Sequence, residues 1–270
     1  MSVGQCCEVL GVSRSGYYKY LKRTVPKKEK EDLELAQIIL EYDLKYKHTL
    51  GYRRMTLYIN ILNQKNYSEK KIHRLMGILG VKAKIRRSRP GYRKVKPEMT
   101  AANILNREFK ASKPNEKWLT DVTEFKYGQR KCYLSALLDL YDRSIVGYEI
   151  GHSNNNELVF KMFEKAVENN PAARPMIHSD RGFQYTSKMF NTKLSNQGCT
   201  QSMSRVARCI DNGPMEGFWG IVKSEMYYLN KYEDYDSLKS AIEQYIYYYN
   251  HERFQAGLKN MAPVQYRSHT

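Results

Sequence analysis

The 270-residue sequence carries 45 Lys and Arg against 28 Asp and Glu, a net charge of +17, with 41% hydrophobic and 27% charged residues. That balance allows a buried core and argues against global disorder. No apolar run approaches the ~20 residues of a membrane helix, and Glu8, Arg14 and Lys19 break any secretory signal, so a soluble, cytoplasmic chain without a membrane partner is expected. The positive excess points to a polyanion, most simply nucleic acid.

The first elements predicted are helical. Residues 5–10 form a short helix stopped at Gly11, and Ser13 caps a second, Arg14 to Lys22. Val9, Leu10, Val12, Tyr17 and Leu21 are its candidate small core. Residues 1–25 therefore read as a partial helix-turn-helix, with Arg14 and Tyr17 as candidate DNA contacts. A charged helix follows from Lys28 to Tyr46, with Leu33, Ile38, Ile39 and Tyr42 on one face. Gly51-Tyr52-Arg53-Arg54 opens the next, whose apolar set is Met55, Leu57, Tyr58, Ile61 and Leu62. Ser68 caps a further helix, Glu69 to Leu79, closed by Gly80. Residues 26–82 thus read as a helical, helix-turn-helix-like DNA-binding domain, with Arg53, Arg54 and Arg74 as candidate contacts; a generic three-helix core fits the same pattern.

Residues 83–113 read as a basic linker without periodicity, in which Arg86, Arg87 and Arg89 are candidate phosphate contacts. Residues 1–113 hold 26 Lys and Arg against 10 Asp and Glu, a net +16, while residues 114–270 hold 19 against 18. Such asymmetry suggests a polyanion-binding arm joined to a nearly neutral domain.

That second part alternates strands and helices. Strands are predicted over Trp118 to Tyr127, Lys131 to Leu140 and Ser144 to Ile150, joined by tight turns. A helix from Glu157 to Glu168 follows, with Asn154 as its expected cap. Then come a strand, Met176 to Ser179; a helix, Thr186 to Ser195; a strand, Thr200 to Ser204; a helix, Pro214 to Tyr228; and a last helix, Asp236 to Arg253. A three-strand meander followed by parallel additions is the order of ribonuclease H-like α/β folds.

Three acids stand out. Asp121 lies mid-strand, Asp180 ends a short apolar strand, and Glu216 falls in the first turn of a helix; 58 and 35 residues separate them. An acid in an apolar strand is costly unless a charged partner or metal receives it. Three brought together would repel, and two Mg²⁺ ions are a natural remedy, able to clamp a scissile phosphate. Glu124, three positions from Asp121, should point to the other side of the strand, and Asp139 or Asp142 fits a role in the turn before Arg143. Lys223 stands two helical turns after Glu216 and so shares its face, where it fits a DNA phosphate.

These residues, with Leu10-Gly11-Val12-Ser13-Arg14, Gly51-Tyr52-Arg53-Arg54, Trp118-Leu119-Thr120-Asp121, His178-Ser179-Asp180-Arg181-Gly182, Asp211-Asn212-Gly213-Pro214-Met215-Glu216 and Tyr249-Asn250-His251-Glu252-Arg253, give the chain a resemblance to B-frame transposases of bacterial insertion sequences, relatives of retroviral integrases. The resemblance implies an α/β, ribonuclease H-like integrase core over residues 114–270: a mixed five-stranded sheet flanked by helices, preceded by an all-α helix-turn-helix region. It implies catalytic and metal-holding Asp121, Asp180 and Glu216, two Mg²⁺ or Mn²⁺ ions, Lys223 as the basic residue after the triad, and DNA cleavage and strand transfer. Its implied partners are the element's terminal inverted repeats, target DNA, further copies of the chain and an upstream-frame product joined by frameshifting, at the bacterial nucleoid. Arg181, Ala207-Arg208, Ile210 and Gly213 depart from the usual pattern. Two rivals stay open: a DNA-binding regulator with an inert core, or an inactive transposase remnant.

Overall fold

The structure, a computed structural model, describes residues 2–24, 26–84, 103–106, 108–204 and 212–269. Arg86, Arg87 and Arg89, like Ala207, Arg208, Ile210 and Asp211, lie outside the described residues. The chain divides into two compact units, Met1–Ala83 and Lys84–Thr270.

The first unit is helical: α1 (Val3–Val9), α2 (Arg14–Leu21), α3 (Lys27–Lys45), α4 (Tyr52–Leu62) and α5 (Glu69–Ile78). The Ser13 and Ser68 hydroxyls accept the amide protons of Gly16 and Lys71 and so start α2 and α5. Gly80 closes the last turn after α5 with φ +69°, a conformation that suits glycine. Leu35 and Ile39 of α3, Met55, Tyr58 and Ile59 of α4, and Ile72, Leu75 and Met76 of α5 are buried. Three expectations need correction. Leu33 is exposed, because the buried stripe of α3 runs through Leu35, Ile39 and Asp43. Val9, Leu10, Val12, Tyr17 and Leu21 are exposed too; two short helices cannot enclose them. Ile61 and Leu62 also face outward, since α4 buries Ile59 instead.

The second unit is a five-stranded mixed sheet in the order β3-β2-β1-β4-β5. Its strands are β1 (Lys117–Tyr127), β2 (Arg130–Asp139), β3 (Ile145–Gly151), β4 (Met176–Ser179) and β5 (Thr200–Met203). The first three form an antiparallel meander, and β4 and β5 add in parallel. Helix α6 (Asn156–Asn169) is capped by Asn155, whose side chain accepts from Leu158 N, rather than by Asn154. The expected helix from Thr186 is two, α7 (Phe183–Thr186) and α8 (Lys188–Asn196), because the Ser187 hydroxyl restarts the chain as a new cap. Helix α9 (Gly213–Glu225) ends before Tyr228, giving way to a 3-10 turn over Tyr227–Leu229, and α10 (Tyr235–His251) follows. A short α11 (Pro263–Ser268), not anticipated from the sequence, completes the unit.

Side-chain alternation along β1 sends successive residues into two cores. Trp118 packs with Val159, Phe163, Tyr185, Phe190 and Leu194 of α6 to α8. Leu119 and Phe125 pack with Phe218, Val222, Ile242 and Tyr249 of α9 and α10. Asp121 shares the parity of Leu119 and Phe125, so it belongs to the α9 side. Gly147 of β3 lets α6 approach closely: a Cβ there would lie 2.6 Å from that of Ala166.

Candidate active site and its family

Strands β1 and β4 run parallel with Leu119 opposite His178. Two residues beyond that pair stand Asp121, within β1, and Asp180, the residue just after β4, and the two are near enough for Asp180 to repel the Asp121 carboxylate. Glu216 arrives from the first turn of α9. Two side chains tie that segment to β1. Asn212 Nδ2 donates to the Thr120 carbonyl at 3.1 Å, and Trp219 Nε1 donates to Asp121 Oδ2 at 3.0 Å. They bracket Glu216, which lies four residues after one and three before the other.

The other two carboxylates perturb Asp121. Burial pushes Asp121 up to about 6, with Asp180 and then Glu216 adding repulsion; the hydrogen bonds from Val122 N and Trp219 pull it back. Burial also raises Asp180, against the pull of the Gly182 amide, and raises Glu216. Among the described residues none of the three forms an ion pair. Nor do any three His, Cys, Asp or Glu side chains there stand close enough to grip a metal ion unaided.

Lys223 is partly buried, with Nζ 5.4 Å from the centre of the Phe125 ring. Burial lowers its pKa, while the charges of Glu124 and Asp121 raise it, which puts Lys223 in the field of the acidic site. Glu124 pairs with Lys131 at 2.9 Å. Arg181 turns toward the end of β5, where its Nε donates to the Ser204 carbonyl at 2.8 Å. Asp139 and Asp142 do order the turn before Arg143: they accept from Tyr141 N and Ser144 N, and both are held by Arg267 of α11.

In the helical unit, Arg14 and Tyr17 are exposed on α2. Arg53 is exposed, bonded through Nε to the Tyr52 hydroxyl at 3.1 Å. The Arg54 guanidinium lies 5.8 Å from the Tyr58 ring centre. Arg74 is engaged by Asp32, which also pairs with Lys71 at 2.9 Å, so this candidate contact doubles as a strut between α3 and α5. Sequence reasoning gave Asn212, Trp219 and Arg267 no role; their partners lie about a hundred residues away along the chain.

The integrase core domain family matches residues 111–209 and, in a second model, residues 216–270; an HTH-like domain matches residues 29–89. InsK of insertion sequence element IS150 from Escherichia coli K12 is 38% identical over 264 residues, covering 96% of this chain and 91% of that protein. A transposase-like protein of Haemophilus influenzae is 42% identical over 203 residues, covering 74% of this chain and 93% of that one. The transposase InsF of IS3A, also from E. coli K12, is 25% identical over 274 residues, covering 99% and 94%. A simian T-cell lymphotropic virus intasome structure shares the fold, with a TM-score of 0.52 at 15% identity over 85% of this chain and 74% of that one. With an integrase core, a helix-turn-helix-like unit and near full-length similarity to InsK, this chain belongs to the insertion-sequence transposases of the IS3 family.

Proposed function

We propose that the chain joins insertion-sequence ends to DNA by divalent-metal-dependent phosphoryl transfer, with Asp121, Asp180 and Glu216 as its catalytic and metal-holding residues. The observation that carries this reading is the approach of β1, the end of β4 and the first turn of α9, which brings Asp180 and Glu216 near enough to repel the Asp121 carboxylate. The donor set suits Mg²⁺ or Mn²⁺: it is all oxygen, Asp121 is partly buried while Asp180 and Glu216 stay open to solvent, and among the described residues it has no ion-pair partner. Two such ions, once bound, would supply Lewis acidity to the attacking and leaving oxygens of the phosphodiester.

The chain's own residues hold and orient. The parallel pairing of β1 with β4 sets the end of β4, and Asp180 after it, beside Asp121, and the Asn212 and Trp219 bonds tie α9, hence Glu216, to the Asp121 strand. Lys223, which feels the charges of Glu124 and Asp121, would meet a DNA phosphate beside the acids. Residues 1–25 and 26–82, with the basic linker 83–113, would bind the terminal inverted repeats, leaving 114–270 for chemistry. The +16 carried by residues 1–113 supports this division. Target DNA, further copies of the chain bringing two ends together, and a frameshifted fusion with an upstream-frame product complete the proposed assembly at the nucleoid of the cytoplasm.

The test is strand joining with labelled element-end DNA and Mg²⁺. Loss of joining in Asp121→Asn, Asp180→Asn and Glu216→Gln supports the reading. DNA binding by the full chain and its fusion without any joining would leave an inert core and a regulator.

A further inference from the structure

The chain has two tryptophans, and they are used differently. Trp118 is fully buried and its indole N–H has no partner. Trp219 is nearly as buried, 7% exposed, and spends its N–H on Asp121 Oδ2 at 3.0 Å. The other oxygen of Asp121, Oδ1, accepts the Val122 amide at 2.8 Å. Each carboxylate oxygen therefore has one fixed donor and keeps lone-pair capacity for a second interaction. A carboxylate held by both oxygens cannot rotate about its last torsion without breaking a bond.

Asn212 adds a second observation. It occupies the N-cap position of α9, where asparagine ordinarily accepts an amide proton of the first turn, yet it makes no side-chain cap bond. Its amide nitrogen grips Thr120 on β1 instead, while its Oδ1 is buried without a partner. Local helix capping is given up for a grip on the residue preceding Asp121. Trp219 lies one helical turn beyond Glu216 and so shares its side of α9. Packing alone explains neither bond, since phenylalanine would fill much of the same space beside Phe218, whose ring centre is 5.0 Å away.

We propose that Trp219 is a positioning residue for the metal-holding carboxylates: its indole N–H sets the orientation of Asp121 and, with Asn212, locks the Glu216 helix to the Asp121 strand. This rests on the reading of Asp121 as a metal-holding residue. Hydrogen bonds of this outer kind change metal affinity by about 10- to 100-fold when lost.

The experiment titrates Mn²⁺ into the full chain and follows binding directly by calorimetry, alongside joining of element-end DNA. Trp219→Phe should raise half-saturating Mn²⁺ by about tenfold or more, with joining largely restored at saturating metal. Trp118→Phe leaves Trp219 as the sole indole, and its emission should change saturably with Mn²⁺; adding Asp121→Asn should abolish that change. Unchanged Mn²⁺ affinity in a folded Trp219→Phe chain overturns the proposal. If Trp219→Phe does not fold, the emission of the Trp118→Phe chain decides: no response to Mn²⁺ concentrations that support joining overturns it. Failure of the underlying reading looks different: Asp121→Asn itself would then bind Mn²⁺ and join DNA as the parent chain does.

Discussion

Asp139 and Asp142 lie fully buried at the end of the β2–β3 hairpin, while Asp121 stands on β1, Asp180 just after the neighbouring β4, and Glu216 in the first turn of α9. The first pair is compensated. Arg267 spans both carboxylates, and backbone amides of Asn115, Tyr141 and Ser144 occupy further lone pairs. Even so, burial and the neighbouring Asp142 raise the pKa of Asp139, with Arg267 pulling it down. The second group has hydrogen bonds from Val122, Gly182 and Trp219 but no ion pair among the described residues. On the proposed reading, the difference separates structural from functional acids. A carboxylate kept for the fold brings its own cation, whereas one kept for chemistry stays under-compensated until a ligand arrives.

The largest effect expected from this contrast is on activity. Asp121→Asn, Asp180→Asn or Glu216→Gln should lower DNA joining at least about a thousandfold, since several kcal/mol of metal-assisted stabilisation are lost. Neutralising the structural acids by conservative change should instead act through stability. Arg267→Met strands two buried carboxylates and should destabilise the fold by about 3–5 kcal/mol in denaturant melts. Adding Asp139→Asn and Asp142→Asn to it should recover much of that loss; no recovery would mean that Arg267 acts through its packing.

The acidic site should show the opposite sign. Asp121 is raised to about 6, so burying its charged form costs stability. That stability is present below the ordinary carboxylate pKa and is lost as pH rises through about 6. Without metal, Asp121→Asn should therefore be more stable than the parent above pH 7, by up to about 3 kcal/mol, and the gap should close below pH 4. Mg²⁺ at about a hundred times its dissociation constant should stabilise the parent chain by about 2.7 kcal/mol. It should leave Asp121→Asn nearly unmoved. The smallest effect belongs to Glu124, whose partner Lys131 is more than half exposed. Glu124→Gln should change stability by less than about 1 kcal/mol and leave joining intact.

Much of this was legible in the sequence because it depends on neighbours along the chain. The Ser13 and Ser68 caps, the strand spans and the meander order all follow from local pattern. Burial in the first unit was less so: Val9, Leu10 and Leu21 look like core by hydropathy, but burial depends on what packs against them. The cap shift from Asn154 to Asn155 and the break at Ser187 are choices between adjacent, chemically equivalent residues. Trp219, Asn212 and Arg267 were illegible for a stronger reason. Each matters only through partners 98, 92 or at least 97 residues away, and only the folded sheet brings those partners together.

The central claim is that under-compensated carboxylates, not the basic arm, carry the chemistry. It is tested most directly by joining of end-labelled element DNA to a target, with Mg²⁺ titrated into the parent chain and into Asp121→Asn. The account predicts Mg²⁺-dependent joined product from the parent and none from Asp121→Asn at any Mg²⁺ concentration, with both chains binding end DNA equally. Joined product from Asp121→Asn at the parent's rate would contradict it.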